Sequence, residues 1–290
     1  SNSSLMRKIG EINGLRDLGG HSLSGGSTPV PPTGPAQLFI NAALITGVTQ
    51  QAALTQLVQD LQGTGSTTNN SDVWSSLTAV YPFCPIDGVT ANLTAYKWNL
   101  MNPLDTNAAF RITWANSPTA TVNGIQGNGS NQFGNTNFKP FTNVVSINDY
   151  GFSASNKTLG RMGVADVDMG AYDGFFNHMI ISNLTYTALL GDINSVVGGT
   201  INTIGIRTVS RTSLNLLTLY LNGAVDGTDA SLGGFNPSID FYILGRNDNG
   251  SFANSSDKLY DFFAIHKGLN ANQAKDLSDS ILTYNTALGR

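Results

Sequence analysis

The sequence feature that most constrains the fold is a series of short alternating segments separated by turn residues. The clearest reads LLTLYLNGAVDG, in which leucines alternate with polar or aromatic residues before Asn222-Gly223. Alternation with a period of two predicts a half-buried strand. Asn-Gly between two such runs predicts a two-residue hairpin turn.

Similar segments recur along the chain from about residue 80. They read AAFRITWANS, NHMIISNLTYTALL, TINTIGIRTVSRT and SIDFYILGRN. Strands this short and frequent, without helices between them, are typical of a sandwich or jelly roll rather than of a parallel sheet. The 32 glycines among 290 residues fit the many tight turns that such a fold needs.

Two helices are predicted in residues 37–82, a segment expected to pack on the sandwich of residues 83–290. Apolar residues recur at helical spacing between Val48 and Leu61. The stretch DVWSSLTAVYPF predicts a second short helix that ends at Pro82. Apolar stripes on such helices favour a core role over a binding groove.

The chain closes with a predicted strand and a predicted helix. In KLYDFFAIHKG, alternation places Tyr260, Phe262 and Ala264 on one face of a strand. In LNANQAKDLSDSILTYNTALG, apolar residues recur at helical spacing, and Asn270 or Asn272 can cap the first turn.

Residues 1–36 are rich in Gly, Ser and Pro and carry few large apolar side chains. They predict a flexible N-terminal arm or linker, and the alternatives are a floppy terminus and an arm that docks on a partner. Met6 is expected to be the natural start, with no secretory segment after it.

Composition argues against several classes of partner. The formal net charge is -4 and the pI about 5.2, so no basic surface is available to neutralise phosphates, and we expect no nucleic acid partner. No apolar run approaches about 18 residues, so we expect no membrane span. Cys84 stands alone, which excludes an internal disulfide and predicts a buried, inert thiol.

Two stretches near the C-terminus resemble the end of laminin-G-like, concanavalin A-like domains. They read LYLNGAVDGT and IDFYILGRNDNGSFANSSDKLYDFFAIHKGLNANQAKDL. Domains of this kind often finish with a strand followed by a closing helix. The resemblance implies a mainly β fold: a concanavalin A-like jelly-roll β-sandwich with a small N-terminal helical element and a C-terminal helix.

A longer resemblance runs from about residue 36 to the end. The motifs FINAALITGVTQQAALTQLVQDLQ, AVYPFCPIDG, KWNLMNPLDTNAAFRITWANSPTATVNGIQGNGSNQFGNT and YNTALGR together resemble a family of bacteriophage virion structural proteins. The resemblance implies a non-enzymatic head-, neck- or tail-associated component, made in the bacterial host cytoplasm and located in the extracellular virion. It would dock to other virion proteins through its arm, assemble as a homo-oligomer, and display a lectin-like sandwich to host surface glycans. A lectin or adhesin outside any virion is the alternative.

A glycoside hydrolase is a weaker alternative. Concanavalin A-like glucanases resemble one another in a Glu-x-Asp-x-x-Glu strand, whereas this chain has a single glutamate, Glu11. Asp166 and Asp168 lie two residues apart and would share one face of a strand. They could form an acid/base pair or a cation site, or simply belong to a polar outer face or a turn. His178 and His266 are expected to be structural, and we expect no enzyme activity.

A sugar site needs an aromatic platform with a few polar groups beside it. The candidates on predicted loops are Trp98, Trp114, Tyr172, Asn247 and Asp248. For each tryptophan the competing interpretation is a core side chain.

No cofactor is required by any motif, but calcium is one option in the stretch GRNDNGSFANSSD. Its oxygen ligands would come from Asp248, Asn249, Asn254 and Asp257. The spacing does not match an EF-hand loop, and a plain Asn-rich turn is the alternative.

Overall fold

The computed structural model describes residues 34–144, 146–161, 164–182, 185–192, 196–201 and 204–290. All but the last three residues of the predicted arm therefore lie outside the described residues. The predicted division at residues 36 and 82 stays a prediction. The described residues, from Gly34 onward, belong to one compact unit.

Helices are few among the described residues. They are α1 Gly34–Ala43, α2 Val48–Leu61, α3 Pro140–Asn143 and α4 Ala271–Ala287. The predicted helix over residues 48–61 is confirmed. Within the described part of the chain, no helix has the length and apolar character needed to cross a membrane.

Strands form most of the described chain. They are β1 Leu77–Tyr81, β2 Thr113–Ala115, β3 Thr119–Thr121, β4 Gly124–Gln126, β5 Phe133–Asn135, β6 Tyr150–Asn156, β7 Asp166–Tyr172, β8 Phe176–Ser182, β9 Thr185–Asp192, β10 Val196–Ile201, β11 Gly205–Ser213, β12 Leu216–Leu221, β13 Ala224–Asp229, β14 Tyr242–Ile243, β15 Gly245–Asp248, β16 Ser251–Ala253 and β17 Leu259–His266.

Two sheets face each other. The first sheet has the order β13-β12-β11-β6-β17-β4-β3, and β1 also pairs with β17. The second sheet has the order β10-β9-β8-β7-β14-β5-β2, and β15 runs parallel beside β7 while pairing with β16. The predicted mainly β sandwich with an N-terminal helical element and a C-terminal helix is confirmed, while its concanavalin A-like jelly-roll type stays a prediction.

The predicted hairpin at Asn222-Gly223 is confirmed and joins β12 to β13. Both residues have a positive φ, 50° at Asn222 and 79° at Gly223. This is the geometry of a type I′ turn, whose twist matches that of the flanking strands.

Two apolar cores lie on opposite sides of the first sheet. One core fills the space between the sheets and includes Phe152, Phe241 and Phe263. The other lies between the first sheet and the helices, where Phe262 packs with residues of α2 and α4 such as Leu57. The helices therefore cover the outer face of the first sheet.

The prediction of a helix in DVWSSLTAVYPF is wrong. Trp74–Ser76 forms a single 3-10 turn, and Leu77–Tyr81 is strand β1, antiparallel to β17. This strand is apolar on both faces, since Tyr81 enters the core between the sheets and Val80 enters the core under the helices. Two buried faces remove the alternation that marks a half-exposed strand, so the spacing of apolar residues resembled that of a helix.

The predicted faces of the last strand need one correction. The pairing of β17 with β6 shifts register between Tyr260 and Phe262, which marks a bulge. Tyr260 therefore packs beside Phe263 in the core between the sheets, with 4.8 Å between ring centroids. Phe262 and Ala264 share one face of the strand, as predicted, and this face packs against the helices.

The segment SIDFYILGRN is two strands rather than one. Strand β14 covers Tyr242–Ile243, and the backbone then turns at Leu244, with φ 65°. The chain continues as β15, which lies parallel to β7. This turn brings Arg246 and Asp248 beside the end of β7.

The closing helix α4 begins as predicted at Asn270. The Asn270 side chain accepts a hydrogen bond from the Gln273 backbone N–H, and the Gln273 side chain accepts one from the Asn270 backbone N–H. This reciprocal pair is a capping box. Asn272, the alternative cap, lies inside the helix.

Candidate functional site

The tip of the β7–β8 hairpin gathers aromatic side chains at one end of the second sheet. β7 ends at Tyr172 and β8 begins at Phe176, so Asp173, Gly174 and Phe175 form the turn. Gly174 has φ 110°, a backbone conformation that side chains with a Cβ rarely adopt. The tight turn directs adjacent aromatic residues to different sides of the hairpin.

Three phenylalanines surround a cleft of about 200 Å³ on one side of this tip. We call Phe141, Phe175 and Phe235 the aromatic rim. Their exposed fractions are 63%, 37% and 62%, respectively. The rings of Phe175 and Phe235 lie 5.3 Å apart between centroids. Exposed aromatic rings grouped around a cleft mark a binding surface more often than scattered apolar residues do.

Three separate segments hold the aromatic rim in place. Phe175 lies in the β7–β8 turn, Phe235 in the connection from β13 to β14, and Phe141 in α3. The Phe141 backbone N–H donates to the Pro237 carbonyl over 2.9 Å, which ties α3 to the Phe235 segment.

Polar groups of the cleft come from Asp173, Asn236 and Ser238. Asp173 Oδ2 accepts hydrogen bonds from the Ser238 backbone N–H at 2.7 Å and from Ser238 Oγ at 2.6 Å. Asp173 Oδ1 has no hydrogen-bond partner among the described residues. The carboxylate is thus fixed in orientation through Oδ2, while Oδ1 is buried.

A second group, the Arg246 cluster, lies on the other side of the hairpin tip. The Arg246 guanidinium lies 5.4 Å from the ring centroid of Tyr172 and 5.2 Å from that of Phe176. The two rings stack at 4.1 Å. Arg246 Nη2 donates to Asp248 Oδ2 over 2.7 Å, and Nη1 lies 3.3 Å from His178 Nδ1.

His178 is neutral in this cluster. Burial, together with the Arg246 charge, lowers the pKa of His178 to about 3. Nδ1 of the neutral ring can then accept the hydrogen bond from Arg246. Because Asp248, His178 and the two rings already contact the Arg246 guanidinium, the Arg246 cluster supports the hairpin tip rather than forming an open site.

The five residues predicted for a glycan platform do not come together. Trp98 packs against the core beneath the helices, with the Lys97 ammonium 4.7 Å from its ring centroid. Trp114 packs 6.2 Å from Phe83 between ring centroids, and its Nε1 donates to the Leu93 carbonyl over 3.1 Å. Both tryptophans are partly buried core residues, as their alternative interpretation held.

The other three predicted residues, Tyr172, Asn247 and Asp248, do lie at the hairpin tip. Tyr172 and Asp248 belong to the Arg246 cluster. Asn247 is buried, and its side chain donates to the Asp240 carbonyl and accepts from the Gly250 N–H. Asn247 therefore holds the β15–β16 turn and does not face a ligand.

The residues predicted to bind calcium do not converge. Asp248 and Asn249 lie at the turn of the β15–β16 hairpin, whereas Asn254 and Asp257 follow its other end. At about 3.3 Å per residue, Asp248 and Asn254 are roughly 10 Å apart along the strands. Asp248 pairs with Arg246, and Asp257 lies 3.6 Å from Arg161 Nε. The described residues contain no group of three or more His, Cys, Asp or Glu side chains that could hold a metal ion.

Asp166 and Asp168 share one side of β7, as their spacing predicts. They do not lie on an outer face or in a turn, because both are buried between the sheets beside Lys258. Burial raises the pKa of Asp166, which Lys258 only partly opposes. Without access to solvent, this pair cannot reach a soluble polysaccharide.

The remaining candidates for chemistry are also buried. Burial raises the pKa of the Cys84 thiol to about 12, so the predicted buried thiol is confirmed and it carries no thiolate near neutral pH. Burial lowers the pKa of His266 to about 4, while its Nε2 lies 2.9 Å from Ser153 Oγ.

Sequence reasoning missed the aromatic rim. The available signal was aromatic residues inside turn-rich stretches: DGFF at the β7–β8 turn, GGFNPS before β14 and KPFTN in α3. Large apolar side chains in Gly-, Pro- and Asn-rich turns have few neighbours to bury them.

No protein-family model and no curated protein matches the chain. Solved structures with a similar fold include the Trypanosoma rangeli sialidase in complex with 2,3-difluorosialic acid. That likeness has 12% identity and a TM-score of 0.46, and it covers 70% of this chain and 32% of the sialidase chain. The chain thus spans about a third of that relative.

Two binding domains are similar at lower TM-scores. The Ruminococcus gnavus IT-sialidase CBM40 bound to alpha2,3 sialyllactose is 10% identical with a TM-score of 0.39, covering 46% of this chain and 84% of that chain. The binding domain of Paraclostridial Mosquitocidal Protein 1 is 12% identical with a TM-score of 0.38, covering 58% and 45%. At these scores the likeness carries no argument about function, which rests on the site itself.

Proposed function

We propose that the chain is a non-enzymatic, lectin-like β-sandwich that binds glycans at the aromatic rim. The observation that carries the proposal is the grouping of three exposed phenylalanine rings around a cleft with a fixed carboxylate. A sugar ring presents an apolar C–H face and hydroxyl donors, and the cleft offers a partner for each.

The proposed mode of binding follows from the geometry. The Phe175 and Phe235 rings pack against the C–H face of one sugar unit, and Phe141 contacts the unit beside it. A sugar hydroxyl hydrogen-bonds to Asp173 Oδ2 or to Ser238 Oγ, the exposed polar pair of the cleft. Because Ser238 already holds Asp173 Oδ2, the carboxylate loses little conformational entropy on binding.

The test is to measure the affinity of site variants, by titration, for a glycan that the wild-type chain binds. Phe175→Ala, Phe235→Ala and Asp173→Asn are each expected to weaken binding about tenfold or more, since each removes a central contact. Leu104→Ala is the matched control, because Leu104 is 58% exposed and lies outside the cleft. Equal affinity in the three site variants and the control would disprove the assignment.

We also propose that the chain is a bacteriophage virion component, on the basis of the motif resemblance from residue 36 onward. The sandwich would be displayed on the particle while the arm docks to other virion proteins. Mass spectrometry of purified particles tests this part. Detection at a stoichiometric ratio to the major capsid protein supports it, and absence from particles leaves a free lectin or adhesin.

A further inference from the structure

A buried lysine meets two buried aspartates between the sheets. Lys258 lies immediately before β17 in the first sheet, and Asp166 and Asp168 lie on β7 in the second sheet. Lys258 Nζ contacts Asp168 Oδ1 directly and lies 3.9 Å from Asp166 Oδ1. All three side chains are buried, with 0% of the Lys258 side chain exposed. A contact between these side chains spans the two layers of the sandwich.

The surroundings of Lys258 Nζ are aromatic. The ring centroids of Tyr186 and Tyr260 lie 5.8 Å and 5.7 Å from it. Nζ donates no hydrogen bond to a hydroxyl, amide or backbone carbonyl among the described residues. Among the described residues, the carboxyl groups of Asp166 and Asp168 are therefore the polar partners of Nζ, at a place closed to water.

We propose that Lys258 and Asp168 are joined by an intramolecular amide bond, with Asp166 as the proton carrier. The inference is independent of glycan binding, because the aromatic rim lies at the sheet end and this cluster lies in the core. The geometry selects these two residues, because Lys258 Nζ already contacts the Asp168 carboxyl group that it would attack.

The reaction balances without an added reagent. Lys258 first passes one proton to the Asp168 carboxylate, which gives a neutral amine and a neutral acid. Nζ then attacks Asp168 Cγ while Asp166 donates its proton to Oδ1. Asp166 takes back a proton from the nitrogen and passes it to one hydroxyl, which leaves as water. Asp166 then removes the proton from the remaining oxygen, which becomes the amide carbonyl. One C–N bond forms, one C–O bond breaks, and no electron is gained or lost.

Two further contacts suit this step. The Tyr260 hydroxyl donates to Asp168 Oδ1 over 2.5 Å, so it polarises the carboxyl group and stabilises negative charge on that oxygen. Burial raises the pKa of Asp166, which favours the protonated carboxyl group that the step requires. The product would tie the two sheets together covalently, which suits a protein exposed on a particle surface.

Intact-mass spectrometry of the folded, purified chain tests the proposal. The expected mass is about 18 Da, one water, below the sequence mass. Trypsin should then leave residues 162–207 linked to residues 247–267, with no cleavage after Lys258. A folded chain with the full sequence mass, and with free peptides on either side of Lys258, would overturn the proposal.

Variants separate the bond from other losses of water. Lys258→Arg and Asp168→Ala should each show their full sequence mass. Asp166→Asn should also remain unlinked, with folding checked by gel filtration and near-UV circular dichroism. If a variant fails to fold, the tryptic map of the wild-type chain still shows whether the amide bond is present. A loss of water that maps to an Asp-Gly pair, such as Asp173-Gly174, would contradict the link, and a linked Asp166→Asn chain would contradict the role of Asp166.

Discussion

Replacing Asp276 with alanine should release the loop after α2 from the closing helix. Asp276 is buried on α4, and its Oδ1 accepts from the Asn69 backbone N–H at 2.8 Å. Its Oδ2 accepts from the Ser71 backbone N–H at 2.7 Å. Hydrogen bonds to a charged acceptor contribute about 1.5–3 kcal/mol each. The loss of two should lower the free energy of unfolding by roughly 3 kcal/mol, because some water reaches the freed groups.

Urea unfolding at pH 7 measures this change. Asp279→Ala is the matched control on the same helix. Asp279 accepts from Thr68 and pairs with Lys275 at the surface, so its loss should cost less than about 1 kcal/mol. Equal destabilisation in the two variants would show that the buried carboxylate does not hold the loop.

The same side chain predicts a pH dependence. Burial raises the pKa of Asp276, but hydrogen bonds from Asn69 and Ser71 outweigh it and leave the pKa below its usual value. Its contribution is therefore present above the unfolded pKa of about 3.9 and is lost as pH falls through the lower folded pKa. The difference between the wild type and Asp276→Ala should narrow below about pH 4; a constant difference would refute the reasoning.

Two further predictions concern buried groups and the β12–β13 hairpin. His178 and His266 have folded pKa values of about 3 and about 4, so the unfolded chain takes up protons first as pH falls below about 6.5. Each histidine should lower the free energy of unfolding by about 2 kcal/mol at pH 5 relative to pH 7. His266→Gln should therefore lose less stability than the wild type over this range in urea unfolding. An equal loss would show that the His266 ring is charged in the folded state. Gly289→Ala should lower the free energy of unfolding by roughly 1–2 kcal/mol through backbone strain alone. Gly223→Ala should lower it by more, because the added Cβ would also lie 2.7 Å from Lys275 Cα. Equal thermal shifts in the two glycine variants would contradict that crowding.

Local rules carried much of the fold prediction. The Asn222-Gly223 turn, the helix over residues 48–61 and the Asn270 cap each follow from residues adjacent in sequence. Prediction failed where tertiary packing decided. Residues 77–81 are apolar on both faces because helices cover the first sheet, and that cover is set by distant segments.

The site was harder to predict for the same reason. Tyr172 and Asp248 come together because the backbone reverses at Leu244, where a positive φ is not signalled by the residue type. The bulge between Tyr260 and Phe262 moves Tyr260 into the core, where its hydroxyl meets Asp168. Alternation alone would have placed that side chain under the helices.

The aromatic rim joins three segments that lie far apart in the sequence. Phe141, Phe175 and Phe235 meet because α3, the β7–β8 turn and the approach to β14 share one end of the second sheet. No local pattern links the three positions. Their exposure could be expected from the surrounding turn residues, but their convergence could not.

The most direct test of the central claim is a glycan array probed with the wild-type chain and with a Phe175→Ala, Phe235→Ala double variant. We predict that the wild type binds a defined set of glycans and that the folded double variant loses this binding. Equal array profiles for the two proteins, or no glycan bound by the wild type, would contradict the assignment of the aromatic rim as a glycan-binding site.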